Sequence, residues 1–117
     1  MVNGDEAAVV TTTTHEGMTV VRLRGDLDGE SAPGLAQALV EAAARGTSRT
    51  IVDLSQAEFA DSSVLHALFD ARKAHMAAGV VLVLAGPLQE TIRRLFEVTG
   101  SGPAFRMTDS LETAMTC

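Results

Sequence analysis

The tripeptide Asp61-Ser62-Ser63 offers the clearest chemistry in this chain of 117 residues. Two adjacent hydroxyl groups follow a carboxylate, and an apolar run that includes Leu65 and Leu68 comes directly after them. Such residues before an apolar run are typical of a helix N-terminus, where their oxygens accept hydrogen bonds from the unpaired amides of the first turn. A phosphate here would add about 1.5 to 2 negative charges at a helix end that tolerates anions. The tripeptide is therefore both a helix cap and a candidate phosphoacceptor.

A hydrolase triad and a metal site are competing interpretations of the same segment. The residue types of a triad occur at Ser62, His66 and either Asp53 or Asp70. No Gly-x-Ser-x-Gly elbow accompanies them, so the sequence gives no support for nucleophilic catalysis. His66 and Asp70 share a helix face, and His75 is the only further ligand nearby, which falls short of a usual zinc ligand set. We therefore expect no catalytic residues, no metal and no cofactor.

Composition and charge exclude several functional classes. The formal net charge is −6, and the chain has four Phe but no Trp or Tyr. Nucleic-acid sites need basic surfaces, and single-strand sites add aromatic platforms, so direct nucleic-acid binding is not expected. The apolar run from Val80 to Ala85 is far shorter than the roughly 20 residues of a membrane helix, and the acidic N-terminus does not resemble a signal peptide. We expect a cytoplasmic protein without membrane insertion, with Cys117 an inert thiol.

The pattern of apolar and turn residues predicts alternating strands and helices. Strands are predicted at residues 8–14, 19–24, 50–54, 80–84 and 104–107, the first two joined by the turn His15-Glu16-Gly17. Helices are predicted from Ser31 to Gly46, from Asp61 to Gly79, from Leu88 to Phe96, and after a capping box of Asp109 and Glu112. This order predicts an α/β domain with a mixed four- to five-stranded sheet that opens with a β-hairpin, its helices packed largely on one face.

The helical spacing also predicts which side chains are buried. The first helix is predicted to bury Leu35, Leu39, Ala42 and Ala43. The second is predicted to bury Leu65, Leu68, Phe69 and Met76. Aliphatic residues and alanine must supply most of this core, because aromatic residues are scarce.

Three segments together resemble one family. Residues 20–39, VVRLRGDLDGESAPGLAQAL, resemble its second strand, acidic loop and Ala-Pro helix opening. Residues 51–68, IVDLSQAEFADSSVLHAL, resemble its Asp-Leu-Ser and Asp-Ser-Ser signature, and residues 80–100, VVLVLAGPLQETIRRLFEVTG, resemble the strand and helix that follow. The chain resembles the STAS domain, and as a free-standing copy it resembles the anti-sigma-factor antagonists. We expect a STAS domain at residues 8–115 after a flexible N-terminus at residues 1–7.

The resemblance implies a partner-switching regulator of transcription that is not an enzyme. In this family the unphosphorylated antagonist binds an anti-sigma factor that is also a serine kinase, and so releases the sigma factor. The kinase then phosphorylates the serine directly after the signature aspartate, which is Ser62 here in preference to Ser63. A PP2C-type phosphatase reverses the modification.

The expected partner-binding residues lie in the acidic loop, which is predicted at residues 25–29, and around the Asp-Ser-Ser signature. They are Asp26, Asp28, Asp61, Ser62, Ser63, Val64 and His66. The family usually has glycine where this chain has Val64 and His66, and glycine lets a partner's backbone approach closely. These two side chains are therefore expected to obstruct that approach or to select a different partner. The alternative function is a STAS scaffold subunit of a larger signalling or lipid-transport complex.

Overall fold

The computed structural model describes residues 8–116 of the chain. Its strands are β1 (Val9–His15), β2 (Met18–Leu27), β3 (Arg49–Ala60), β4 (Val81–Ala85) and β5 (Arg106–Thr108). Its helices are α1 (Ala32–Ala44), α2 (Ser62–Ala78), α3 (Glu90–Thr99) and α4 (Leu111–Thr116), and a 3₁₀ turn spans Gly102–Ala104. The predictions made for residues 1–7 and for Cys117 lie outside the described residues.

The five strands form one mixed sheet in the order β1-β2-β3-β4-β5. The first two strands are antiparallel and every later pair is parallel. His15 pairs with Met18, which leaves Glu16 and Gly17 as a two-residue turn with φ angles of 51° and 79°. Positive φ at both positions is what a type I′ hairpin turn requires. The predicted fold class, with its opening hairpin, is confirmed.

The helices divide unequally between the two faces of the sheet. Helices α1, α2 and α3 cover one face, and the main core lies between them and the sheet. The short helix α4 covers part of the other face, where Ala114 packs with Ile51, Val83 and Ala85. The expectation that helices lie largely on one face is therefore confirmed.

Helical spacing predicts the core of α1 correctly and that of α2 only in part. Leu35, Leu39, Ala42 and Ala43 are all buried, as expected. Leu65 and Leu68 are buried too. The prediction that Met76 is buried is wrong, because its side chain is 67% exposed. The neighbouring His75, at 1% exposed, takes that place in the core. The buried stripe of α2 thus ends on a polar residue, which the apolar pattern alone does not reveal.

Strands β2 and β3 are longer than predicted, and the extra residues position the candidate site. The prediction ended them at Arg24 and Leu54, but their parallel pairing continues to Leu27 opposite Ala60. Two register irregularities accompany this extension, one of them between Gly25 and Asp26. Because Leu27 and Ala60 are both buried, the segment expected to be a loop is a strand that contributes to the core.

Two C-terminal details also differ from the prediction. The last strand begins at Arg106, because Gly102-Pro103-Ala104 forms a 3₁₀ turn before it. Helix α4 is capped by Ser110, whose Oγ accepts a hydrogen bond from the Thr113 amide at 3.0 Å. The expected capping box of Asp109 and Glu112 is one residue out of register with this cap.

Candidate functional site at the entrance of helix α2

The site lies where the two central strands end side by side. Leu27 at the end of β2 pairs with Ala60 at the end of β3. The Asp61 amide donates to the Leu27 carbonyl oxygen at 3.3 Å, so the link to α2 begins against the acidic loop. The carboxyl ends of parallel strands meet at one edge of a sheet, and loops there commonly carry function. The acidic loop and the Asp-Ser-Ser tripeptide are therefore neighbours.

Asp61 caps α2. Its backbone is extended, and its carboxylate accepts hydrogen bonds from the Ser63 amide at 3.0 Å and from the Ser63 hydroxyl. The Ser63 hydroxyl is the largest cause of the lowered pKa of Asp61, with the amides of Ser63, Val64 and Gly29 adding to it against partial burial. Asp61 is therefore held as a carboxylate, which is the form that caps the helix and that carries charge beside Ser62.

The two serines of the tripeptide meet different surroundings. Ser63 is half-buried, and its hydroxyl is taken by Asp61. Ser62 is exposed as the first residue of α2, and its hydroxyl has no hydrogen-bond partner among the described residues. The amides of the next two residues are already paired with Asp61, that of Ser63 with its carboxylate and that of Val64 with its carbonyl oxygen. Of the two hydroxyls, only that of Ser62 is both accessible and uncommitted.

Val64 and His66 differ in exposure. The Val64 side chain is 3% exposed and packs in the core with Leu27 and Leu65, contrary to the expectation that it meets a partner. The helix turns this position inward because Val64 lies on the same stripe as Leu68. His66 is exposed on the outer side of α2. Of the two expected departures from glycine, only His66 can therefore alter a docking surface through its side chain.

The acidic loop contributes charge, but one of its carboxylates is engaged locally. Asp28 Oδ1 accepts from the Glu30 amide at 3.0 Å and from the amide and hydroxyl of Ser31, each at 3.3 Å. These bonds fold the entrance of α1 in an Asx-type turn. Asp28 remains exposed, while Asp26 is half-buried. The end of β2, which contains Asp26, and the turn after it therefore present an ordered acidic surface.

Phe59 is a site residue that the sequence analysis did not single out. It pairs in register with Asp26, and its side chain is 43% exposed. The sequence does signal it, as the aromatic residue four positions after the serine of Asp-Leu-Ser. Exposed aromatic residues are enriched where proteins bind one another. Phe59 therefore adds an exposed apolar side chain on β3 three residues before Ser62.

Two members of the rejected triad and metal site, Asp53 and His75, have their hydrogen-bond partners away from the α2 entrance. Asp53 accepts from the Ser55 amide and hydroxyl and lies 3.4 Å from the Arg22 guanidinium, so its partners include no histidine. His75 lies in the core, with Ala71 and Thr50 as its hydrogen-bond partners. Across residues 8–116, no group of three or more potential metal ligands comes together, and no helix is long and apolar enough to cross a membrane.

Comparison with known proteins identifies the family. The family model of the STAS domain matches residues 9–114. The chain belongs to the STAS domain family. Comparison with curated protein sequences finds no match.

Several solved structures share this STAS fold. An anti-sigma factor antagonist from Mycobacterium paratuberculosis superposes with a TM-score of 0.83 at 25% identity, over 94% of this chain and 92% of that one. The phosphorylated form of the Bacillus cell fate determinant SpoIIAA gives 0.66 at 20% identity, over 92% and 96%. A sulfate transporter family protein from Wolinella succinogenes gives 0.72 at 16% identity, over 87% and 84%. The last two similarities show the fold alone.

Proposed function

We propose that this STAS domain is an anti-sigma-factor antagonist whose binding to a serine-kinase anti-sigma factor is switched off by phosphorylation of Ser62. The observation that carries the proposal is the exposed, uncommitted Ser62 hydroxyl at the first residue of α2, next to a neighbouring serine whose hydroxyl is already bound. The similarity to the mycobacterial anti-sigma factor antagonist supports the same role.

The geometry explains why the modification would change binding and not the fold. A phosphate on Ser62 would lie at the N-terminus of α2, where the helix dipole favours an anion. It would also lie beside the Asp61 carboxylate and near the acidic loop, so the surface around it would become more negative. A kinase docked on Phe59 and this loop would then meet like charge and lose its desolvated contacts. The unphosphorylated surface is therefore the binding form.

The acceptor can be tested by comparing the two serines. The protein and its Ser62→Ala and Ser63→Ala variants are incubated separately with each purified serine-kinase anti-sigma factor of the same genome and Mg-ATP. Mass spectrometry of peptides is expected to find phosphate on the protein and on Ser63→Ala, and none on Ser62→Ala. A PP2C-type phosphatase should then remove it. Equal phosphate on the protein and on Ser62→Ala would contradict the assignment.

The effect of the charge on kinase binding is tested with two variants that are matched in size and differ in charge. Ser62→Glu adds one negative charge, and Ser62→Gln adds a side chain of similar size without charge. If repulsion is the mechanism, Ser62→Glu weakens kinase binding about a hundredfold, equivalent to about 2.7 kcal/mol, while Ser62→Gln weakens it much less. Calorimetric titration measures both. Equal affinities for the two variants would exclude charge as the cause. A stable complex with a kinase that never phosphorylates the chain would favour the scaffold alternative.

A further inference from the structure

The two edges of the sheet differ in how they are protected. The β5 edge is three residues long and begins with Arg106, and short charged edges resist pairing with another chain. The β1 edge is seven residues long and pairs only with β2 in the described part of the chain. It contains no proline, lysine or glycine, and its pairing with β2 shows no register shift. Its unpaired amides and carbonyls therefore form a complete template for another strand.

The chemistry of β1 indicates which strand would fit. The chain carries a net charge of −6, but Val9 to Thr14 contains no charged residue. Two copies of an acidic protein repel each other least where such neutral segments meet. Threonine and valine also have high strand propensity. We propose that a second copy of this chain adds to the sheet by antiparallel pairing of β1 with β1, forming a weak symmetric dimer.

The sequence of β1 is complementary to itself in this arrangement. Full overlap of the seven residues places Thr12 on the two-fold axis. Thr11 then lies opposite Thr13 of the second copy, and Val9 lies opposite His15 of the second copy. The first of these pairs joins two β-branched threonines, the second joins a valine with a histidine, and neither brings two acidic or two basic residues together. Every cross-strand pair is thus tolerated, and the unpaired edge would be hydrogen-bonded over its whole length.

The dimer is independent of the switch proposed for Ser62. Antiparallel pairing of β1 turns the two five-stranded sheets in opposite directions. The carboxyl ends of the parallel strands, and with them the α2 entrances, then lie at opposite ends of the dimer. Each Ser62 stays exposed in this arrangement. A monomeric protein would leave the phosphorylation experiment unaffected, and a failed phosphorylation would leave the dimer unaffected.

The test uses charge pairs at positions that face each other. Thr11 and Thr13 are exposed, so their side chains can be changed without entering the core. An acidic variant carries Thr11→Glu with Thr13→Glu, a basic variant carries Thr11→Lys with Thr13→Lys, and an alternating variant carries Thr11→Glu with Thr13→Lys. In the proposed register the first two repel themselves, while the third attracts itself. The alternating variant has the same number of substitutions and is the matched control.

Sedimentation velocity across a micromolar to millimolar series measures the mass of each protein. The unmodified protein is expected to rise from 12.2 kDa toward twice that mass. The acidic and basic variants should each dimerise at least tenfold more weakly, a mixture of the two should dimerise again, and the alternating variant should dimerise alone. Urea unfolding checks that each variant is folded. If either the acidic or the basic variant is unfolded, the other one still tests the proposal. An unmodified protein that stays monomeric at millimolar concentration, or an acidic variant that dimerises like it, would overturn the proposal.

Discussion

Helix α2 carries hydrogen-bonding side chains at both ends, and the two ends meet different surroundings. At its entrance, Ser62 is exposed and its hydroxyl is uncommitted, while Asp61 binds Ser63. Toward its other end, His75 is 1% exposed, and both of its ring nitrogens are engaged. The same helix thus leaves a hydroxyl accessible at one end and is fixed in the core at the other.

The hydrogen bonds of His75 define its tautomer. Nδ1 lies 2.7 Å from the Ala71 carbonyl oxygen, which can only accept, so Nδ1 carries the proton. Nε2 then accepts from the Thr50 hydroxyl at 2.8 Å. This contact ties α2 to β3 across 25 residues of sequence. Buried polar groups are stable when all their bonds are made, whereas a group meant for modification must keep its bonding capacity free.

The largest predicted effect on stability is that of removing His75 at the buried end of α2. His75→Ala would leave a cavity and an unsatisfied Thr50 hydroxyl, so we expect it to lower the free energy of unfolding by about 2 to 4 kcal/mol. Urea unfolding measures this loss. His66→Ala is the matched control, because His66 lies on the exposed side of the same helix and should change stability by about 0.5 kcal/mol or less. Equal losses for the two histidines would mean that the Thr50 contact does not hold α2 to the sheet.

The same contrast shows what a sequence can and cannot predict here. The apolar run of β4 and the stripe of Leu35 and Leu39 on α1 are local patterns, and both are found as predicted. Periodicity assigned Met76 to the core, and His75 was considered only as a possible third metal ligand. The error has a physical cause, because His75 is buried through a partner on β3 that no local pattern can show.

The candidate site was predictable as a segment but not atom by atom. The Asp-Ser-Ser pattern predicts a capped helix, and the structure has one. It does not say which hydroxyl the carboxylate takes, since that depends on the extended backbone of Asp61. The inward position of Val64 was available from the sequence, since Val64 lies one helical turn before the buried Leu68. Which hydroxyl stays free at this site is set by the local backbone geometry.

The second prediction concerns the pH dependence of stability that the buried His75 causes. Burial lowers the pKa of His75 below its ordinary value of 6.5, although the Ala71 carbonyl acts in the opposite direction. The unfolded chain therefore takes up a proton at a higher pH than the folded one. Stability is complete above pH 6.5 and falls as the pH drops from there toward the folded pKa, with a slope that cannot exceed about 1.4 kcal/mol per pH unit.

Urea unfolding from neutral to mildly acidic pH measures that slope. His75→Gln removes the titrating group while keeping an amide that can hydrogen bond. It should flatten the dependence between pH 6.5 and the folded pKa, whatever it does to absolute stability. If the variant keeps the slope of the unmodified protein, the buried end of α2 is not the group that takes up the proton.

The smallest predicted effect concerns the cap at the exposed end. Asp61→Ala removes the acceptor for the Ser63 amide, so we expect it to cost about 1 kcal/mol, as exposed helix caps do. Asp61→Asn keeps a capping oxygen and is the matched control, with a smaller loss due to the missing charge at the helix N-terminus. Urea unfolding at neutral pH ranks the three proteins.

The cap should also respond to acid in its own range of pH. Because the pKa of Asp61 is lowered from 3.8, its contribution is complete above that pH and disappears as the pH falls below it. This range is well separated from that of His75, so one titration of stability distinguishes the two ends of the helix. A loss on Asp61→Ala as large as that of His75→Ala would mean that the entrance is built for stability as much as the core. A loss near 1 kcal/mol would mean that the entrance contributes little to stability, as the modification proposed for Ser62 requires if it is to leave α2 folded.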